Sequence, residues 1–439
     1  MVERLNMGVI GAGFIGPVHM RSLASHFEIG VPYAVADSNA QKHEGLKSLG
    51  LKVYGSADEL IRDSDIQAVH IAGPDGLHAE WALSAMKAPG KKVVVCEKPM
   101  TTSLDDALRV MEAADAFEAR GGKFMVDLNY MGHALPRAVR ELHTNGYFGK
   151  RDIMVLANYL QAWLLTNDKL SAKQKMDMGL PDTWNWRLED DCAKRDILPH
   201  LITATYFMTG QYPVRLIAHS AVVVPERIIE KGTGADAFSK GTGAEQKKEY
   251  ETRPCTSDLY TTVMVEFNTG AVGTYTVTQA LPGRKNDWSI IVGGSQRSAT
   301  WHQKNPNELI IGQSGDLAIS PGDAQGKVYD PGNIGDVVIK NDGGDLVKMG
   351  CVDAAQYVSD PGEHPWGHRG AMGTQFAQAY LVGLGKKTKD QVVLPGATTG
   401  AMSVAVFDAV KESLAGGQQG SWVTVNYKGI DNMLSRGRL

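Results

Sequence analysis

Gly11-Ala-Gly-Phe-Ile-Gly16 is a G-x-G-x-x-G turn between an apolar run and a helix-like stretch. In such a turn Gly11 permits the tight reversal, Gly13 lets a pyrophosphate approach the backbone, and Gly16 lets the helix pack closely on the strand. The free N–H groups and positive dipole end of the helix then face the phosphates. A second strand-like run, Tyr33–Ala36, ends in Asp37, about 20 residues beyond the last glycine, where an acid receives a ribose 2′-hydroxyl. A carboxylate there repels a 2′-phosphate, and Ser38 and Asn39 supply no cation, so NAD is expected over NADP.

Two further stretches carry chemistry of another kind. Val93-Val-Val-Cys-Glu-Lys-Pro99 is an apolar run that ends with Lys98 locked between Glu97 and Pro99. An ammonium beside a carbinol oxygen stabilises the alkoxide that develops as hydride leaves the carbon, and a proline stiffens the backbone that presents it. Removing hydride also requires removing a proton, and a neutral imidazole is the natural acceptor near pH 7. Asp196 and His200 stand at i and i+4, on one face of an expected helix at about 196–209. Such a pair also occurs as a plain surface contact. Gly73-Pro-Asp-Gly76 is a turn leading into a helix that carries His78, and a histidine at a helix start often only bonds nearby backbone.

The elements that must position these residues change character along the chain. Over the first 130 residues, β-branched runs at Met7–Ile10, Tyr33–Ala36, Ala68–Ala72, Val93–Cys96 and Phe124–Leu128 alternate with helix-like stretches. Capping signals at Ser56 and Ser103 open two of those helices. This alternation predicts a doubly wound parallel sheet with helices on both faces, and ligands bind outside the carboxyl ends of such strands. The turns at Gly11, Gly73 and Lys98 all fall at that edge.

Beyond about residue 150, period-2 alternation appears in the stretch Leu259–Ala280, with Asn268-Thr-Gly270 as a hairpin turn. Strand-like segments follow at Trp288–Val292, Ser298–His302 and Glu308–Ile311, with further helices at about 368–384 and 396–414. The fold class is therefore α/β: an N-terminal Rossmann-type parallel sheet over residues 1–130, and a C-terminal α+β domain over 131–439 with a large, mainly antiparallel sheet. Residues 227–254 and 312–366 read as loops.

Composition bounds the rest. The 439 residues exceed one hydrophobic core, and 43% hydrophobic with 21% charged residues is ordinary for a globular protein. A formal charge of −4 gives no reason to expect nucleic acid or an anionic membrane as partner. The first residues lack a signal-like apolar stretch, and four scattered cysteines read as reduced thiols, so a cytoplasmic location is expected, with no zinc site.

In combination, the "GAGFIG", "IAGPDGLHAEWAL", "VVVCEKPM" and "VDLNYMGHALPRAVRELHTNGYFGK" blocks resemble the Gfo/Idh/MocA family, the glucose–fructose oxidoreductase and inositol dehydrogenase group. "TVMVEFNTGAVGTYTVTQ" and "GHRGAMGTQFAQAY" resemble its C-terminal half. The resemblance implies that Lys98 contacts both the cofactor ribose and the reacting hydroxyl, often after a cis bond to its proline. It further implies His200 as general acid/base and Asp196 as the residue that binds or orients substrate. The implied cofactor set is Gly11, Gly13, Phe14, Ile15, Gly16, Asp37, Ser38, Ala72, Pro74, His78, Glu97 and Lys98. The implied substrate set is Lys98, Asn129, Trp163, Trp186, Arg187, Asp196 and His200.

Around the Asp-x-x-x-His the chain departs from the family pattern, with Lys194 and Arg195 just before it. These are either solvated charges or a sign of an anionic substrate. Gln161, Trp163, Trp184, Asn185, Trp186 and Arg187 cluster upstream, and tryptophan faces with amide and guanidinium groups suit a sugar or cyclitol ring. The sugar-acting branch also suggests that His364–Gly370 lies near the site. The expected activity is NAD-dependent oxidation of a secondary ring hydroxyl, without a metal, in a homo-oligomer (dimer or tetramer). A glycosidase using NAD transiently, or a non-enzymatic NAD sensor, is the alternative. Retention of Lys98, Asp196 and His200 together speaks against the sensor, because binding alone needs no proton acceptor.

Overall fold

The structure is a computed structural model that describes the chain except residues 1–2, 167–168, 179–181, 183, 185, 189–190, 232–248, 314–326, 330–337, 341–345, 349–350, 358–366 and 437–439. Six strands, β1 (Leu5–Ile10), β2 (Gly30–Ala36), β3 (Lys52–Tyr54), β4 (Ala68–Ile71), β5 (Val93–Glu97) and β6 (Lys123–Asp127), form a parallel sheet in the order β3-β2-β1-β4-β5-β6. Strands buried on both faces must be apolar throughout, and β4 and β5 are buried at every position. The order reverses direction beside β1, which brings the turns after β1, β4 and β5 to one edge. Ser56 and Ser103 cap their helices by accepting the N–H groups of Glu59 and Asp106.

The remaining strands are β7 (Asp152–Leu160), β8 (Pro213–Ala221), β9 (Glu226–Glu230), β10 (Tyr250–Pro254), β11 (Tyr260–Phe267), β12 (Val272–Thr278), β13 (Asp287–Gly294), β14 (Arg297–His302), β15 (Leu309–Gln313), β16 (Lys327–Tyr329), β17 (Val338–Lys340), β18 (Leu346–Lys348) and β19 (Val423–Thr424). Nine of them form one sheet, in the order β16-β15-β14-β13-β7-β12-β11-β8-β19, antiparallel except where β7 meets β12. β11 and β12 turn at Asn268–Gly270, where Gly270 takes a φ of 83°. The inner face packs on the helices Ala134–Thr144 and Leu198–Thr209. β7 shows why: Val155, Ala157 and Tyr159 are buried while Met154 and Leu156 face out.

Three expectations need correction. Residues 227–254 are not a loop throughout, because β9 and β10 pair antiparallel at its ends. The stretch 312–366 contains β16, a β17–β18 hairpin and the short helix Val352–Ala355; its other residues lie largely outside those described. The helix expected at 196–209 is two helices, Cys192–Asp196 and Leu198–Thr209. Pro199 stands second in the later one, and its ring cannot follow a continuous helical turn. The chain also returns late to the parallel sheet. The helix His368–Gly383 lies against β5, β6 and the helix Gly16–Ala24, with Phe376 and Tyr380 against His70 of β4.

Candidate active site

Lys98 follows β5, and its peptide bond to Pro99 is cis. Its Nζ donates to the main-chain oxygen of Asp196 at 2.7 Å and to Asp196 Oδ1 at 2.8 Å. A lysine of the parallel sheet is thus tied to the end of a helix from the other half of the chain. The break between the two helices leaves the Asp196 carbonyl available for this bond. On its other side Asp196 accepts from Arg187, at 2.6 Å from Nε and 3.3 Å from Nη2, and from Gln279 Nε2 at 2.8 Å. Burial pushes the Asp196 carboxyl up, but the Lys98 ammonium and the Arg187 guanidinium outweigh it and hold it far below the usual carboxylate range. It is an anion between two cations.

His200 sits one turn further on, buried, its ring edge-on to Tyr130 and Tyr159 with centroids 5.2 and 5.8 Å apart. Burial, and next the nearby Lys98 charge, push its imidazole down to about 3, so it is neutral at physiological pH. Its Nδ1 has no hydrogen-bond partner among the described residues. The site therefore combines a cation, an anion that holds it and a neutral imidazole.

The glycine turn fits a dinucleotide. Gly11 has φ +100°, and a Cβ on Gly16 would lie 2.0 Å from the Gly11 carbonyl oxygen. A Cβ on Gly13 would meet nothing within 4 Å, so the space above that backbone is open. Asp37 Oδ2 accepts the Ala12 N–H at 2.9 Å, which puts the carboxylate beside the turn. Phe14, Ser38 and Pro74 are exposed at this edge, Ile15 is half-buried and Ala72 is buried. Lys42 also reaches Asp37, at 3.4 Å, a cation that the reading of Ser38 and Asn39 overlooked.

Several expected residues are engaged elsewhere. His78 directs its two ring nitrogens at the carbonyls of Pro99 and Gly73, at 2.8 and 3.0 Å, and so staples one turn to the other. Lys194 is buried against Asp191 and Asp258, and Arg195 pairs with Asp75 at 2.6 Å. These ion pairs give both cations a role within the protein. Trp184 is buried beneath Arg253 and belongs to a small core with Leu164 and Leu259. Trp163 lies beneath Arg187 and donates to Gln161 at 2.8 Å. Asn129 meets His368 Nδ1 at 2.5 Å. Asn185, His364 and the side chain of Trp186 lie outside the described residues.

Two family models match this chain: an oxidoreductase family with an NAD-binding Rossmann fold over residues 5–127, and a GFO/IDH/MocA C-terminal domain over 137–300. The chain belongs to the Gfo/Idh/MocA oxidoreductase family. It is 27% identical over 329 residues to levoglucosan dehydrogenase of Pseudarthrobacter phenanthrenivorans, covering 72% of this chain and 78% of that one. It is 30% identical over 202 residues to inositol 2-dehydrogenase of Serratia proteamaculans, covering 43% of this chain and 55% of that one. A structure of levoglucosan dehydrogenase with NADH and levoglucosan superposes with a TM-score of 0.72 at 22% identity, over 97% of this chain and 100% of that one. An inositol dehydrogenase homolog with NAD+ from Azotobacter vinelandii gives 0.71 at 21% identity, over 97% and 98%.

As a member of this family the chain is an NAD-dependent oxidoreductase with a Rossmann-type sheet and a second, mostly antiparallel one. Sequence reasoning missed Gln279 and Asn286 at the site, whereas His368 falls in the stretch His364–Gly370 expected near it. Gln279 closes β12 and links Asp196 to Gln161, which in turn donates to Asn286 at 2.8 Å.

Proposed function

We propose that this chain oxidises a secondary ring hydroxyl of a sugar, glycoside or cyclitol with NAD. The observation that carries this reading is the Lys98–Asp196 bond beside neutral His200, at the edge where the glycine turn opens. When bound, NAD supplies the hydride acceptor. Lys98 stabilises negative charge on the carbinol oxygen, Asp196 fixes the direction of that ammonium, and His200 takes the hydroxyl proton. Arg187 and Gln279 keep Asp196 ionised and oriented. Half-buried Trp163 places an aromatic ring beside the Arg187–Asp196 pair, the kind of surface on which a polyol ring packs. The sugar and cyclitol names of the relatives support the substrate class.

The test is a panel of sugars, glycosides and cyclitols with NAD and NADP, followed at the absorbance of reduced nicotinamide. NADH is expected to accumulate with at least one ring polyol, faster than NADPH. Lys98→Ala and His200→Ala are each expected to lose activity by about a thousandfold or more while NAD binding persists. Full turnover in either variant, or cleavage of a glycoside with no net NADH, would refute the assignment.

The proposal extends to assembly: the outward face of the nine-stranded sheet meets a second copy of this chain.

A further inference from the structure

Beneath the Lys98 turn lies a buried cluster that the chemistry above does not use. His19, on the helix Gly16–Ala24, reaches the ends of β5 and β6. Its Nε2 is 3.0 Å from Glu97 Oε1 and 3.2 Å from Asp127 Oδ2. On the other side of the ring, Nδ1 lies 3.0 Å from His70 Nδ1, and His70 Nε2 lies 3.0 Å from the Tyr380 hydroxyl. His19, His70 and Tyr380 are all 0% exposed, so the row ends in the core and carries no proton to water. Its role is static.

A ring nitrogen that faces two carboxylate oxygens bears hydrogen. Burial alone would lower the His19 imidazole, but Asp127 and Glu97 outweigh it and raise it to about 9. His19 is then an imidazolium that donates Nε2–H to Glu97 and Nδ1–H to His70, with the Asp127 carboxylate close by. Glu97 is used up in this arrangement, because its second oxygen, Oε2, accepts the backbone N–H of Lys98 at 3.1 Å. Both oxygens of Glu97 are therefore turned into the first half of the molecule. The ammonium of the next residue points away, to Asp196.

We propose that His19 is a positioning residue: by pinning Glu97 it denies the Lys98 ammonium the carboxylate of its chain neighbour and aims it across the cleft at Asp196. The inference rests on the reading of Lys98 given above. Glu97 and Lys98 are chain neighbours of opposite charge, and a Glu97 released from His19 competes with Asp196 for the ammonium. Asp127 Oδ2, 3.2 Å from the same ring nitrogen, adds a second carboxylate charge beside His19.

His19→Phe is expected to lower kcat about tenfold or more while the NAD Kd from calorimetry changes less than roughly threefold. Adding Glu97→Gln to it is expected to restore kcat roughly threefold or more, since a neutral amide does not capture an ammonium. If His19→Phe does not fold, His19→Asn takes its place in the same pairing. A crystal structure of the variant reads the aim of Lys98 without turnover, and its Nζ is expected on Glu97. The proposal is overturned if Lys98 still reaches Asp196, if kcat is unchanged, if NAD affinity falls by the same factor as kcat, or if Glu97→Gln restores nothing. Activity surviving in Lys98→Ala would instead overturn the reading of Lys98, and the crystal structure would still decide on the clamp.

Discussion

His200 can accept a proton only while it is neutral, and two separate causes keep it so. Burial is the larger and the Lys98 ammonium the next, against a smaller opposing pull from Asp196. Lys98→Met removes a cation and none of the burial, so the imidazole is expected to rise from about 3 while staying below the ordinary histidine value. An NMR titration of the His200 ring in both proteins checks this; a fall, or no movement, would mean that Lys98 does not face it. The sign for stability follows from the same shift. A histidine neutral in the fold binds its proton more readily in the unfolded chain, where its pKa is about 6.5. Its contribution to stability is present above that pH and is lost as pH falls toward about 3. Lys98 was legible because a charge closing an apolar run is unusual, whereas Asp196 and His200 were legible through their i, i+4 spacing and the family resemblance. The function of Arg187 was not, since no spacing shows which carboxylate a guanidinium will choose.

At the scale of elements, the decisive contact is that of the helix Gly16–Ala24 with the turn after β1. A Cβ at residue 16 would lie 2.0 Å from the Gly11 oxygen and 3.2 Å from Val9 Cγ1, so Gly16→Ala must push helix and strand apart. Overpacking of this kind costs on the order of 1–3 kcal/mol. The expected outcome is a lower Tm together with weaker NAD binding, because the helix terminus is displaced from the pyrophosphate position. A variant with unchanged Tm and unchanged NAD affinity would show that the helix does not seat as described. Most elements of the parallel sheet were readable, since each buried strand is a continuous apolar run between turn signals. β3 was not: Lys52–Tyr54 is an edge strand of three residues with an exposed lysine, too short to show a pattern. Pro199 carries the signal of the helix break, which the expectation of one helix over 196–209 passed over. The i, i+4 spacing of Asp196 and His200 suggested continuity, and the proline's missing N–H prevailed.

For the whole molecule, the outer face of the nine-stranded sheet carries a row that register defines. Ile310 lies beside Thr300, Thr300 beside Ile291, Ile291 beside Leu156, Leu156 beside Thr274, Thr274 beside Met264, and Met264 beside Ile217. Neighbours in register share a face, so these side chains form one band across seven strands. Met264, Ile310 and Leu156 are 48%, 41% and 37% exposed, and Val272 and Met154 widen the band. Large apolar patches on one sheet face mark association surfaces, and a surface of this kind pairs well with its own copy about a two-fold axis. The wild-type protein is expected to run as a dimer or tetramer in light scattering after gel filtration. Leu156→Arg with Met264→Arg places two cations in the middle of the band, where they would be buried unpaired on association. That variant is expected to shift to smaller species with its far-ultraviolet dichroism unchanged, whereas a wild-type monomer, or an unaltered assembly in the variant, would remove this face as the contact. The nucleotide cleft lies at another edge of the fold, so the same variant separates assembly from turnover. If it is monomeric and still oxidises substrate, one chain holds a complete site; if it is monomeric and inactive, the partner supports the cleft.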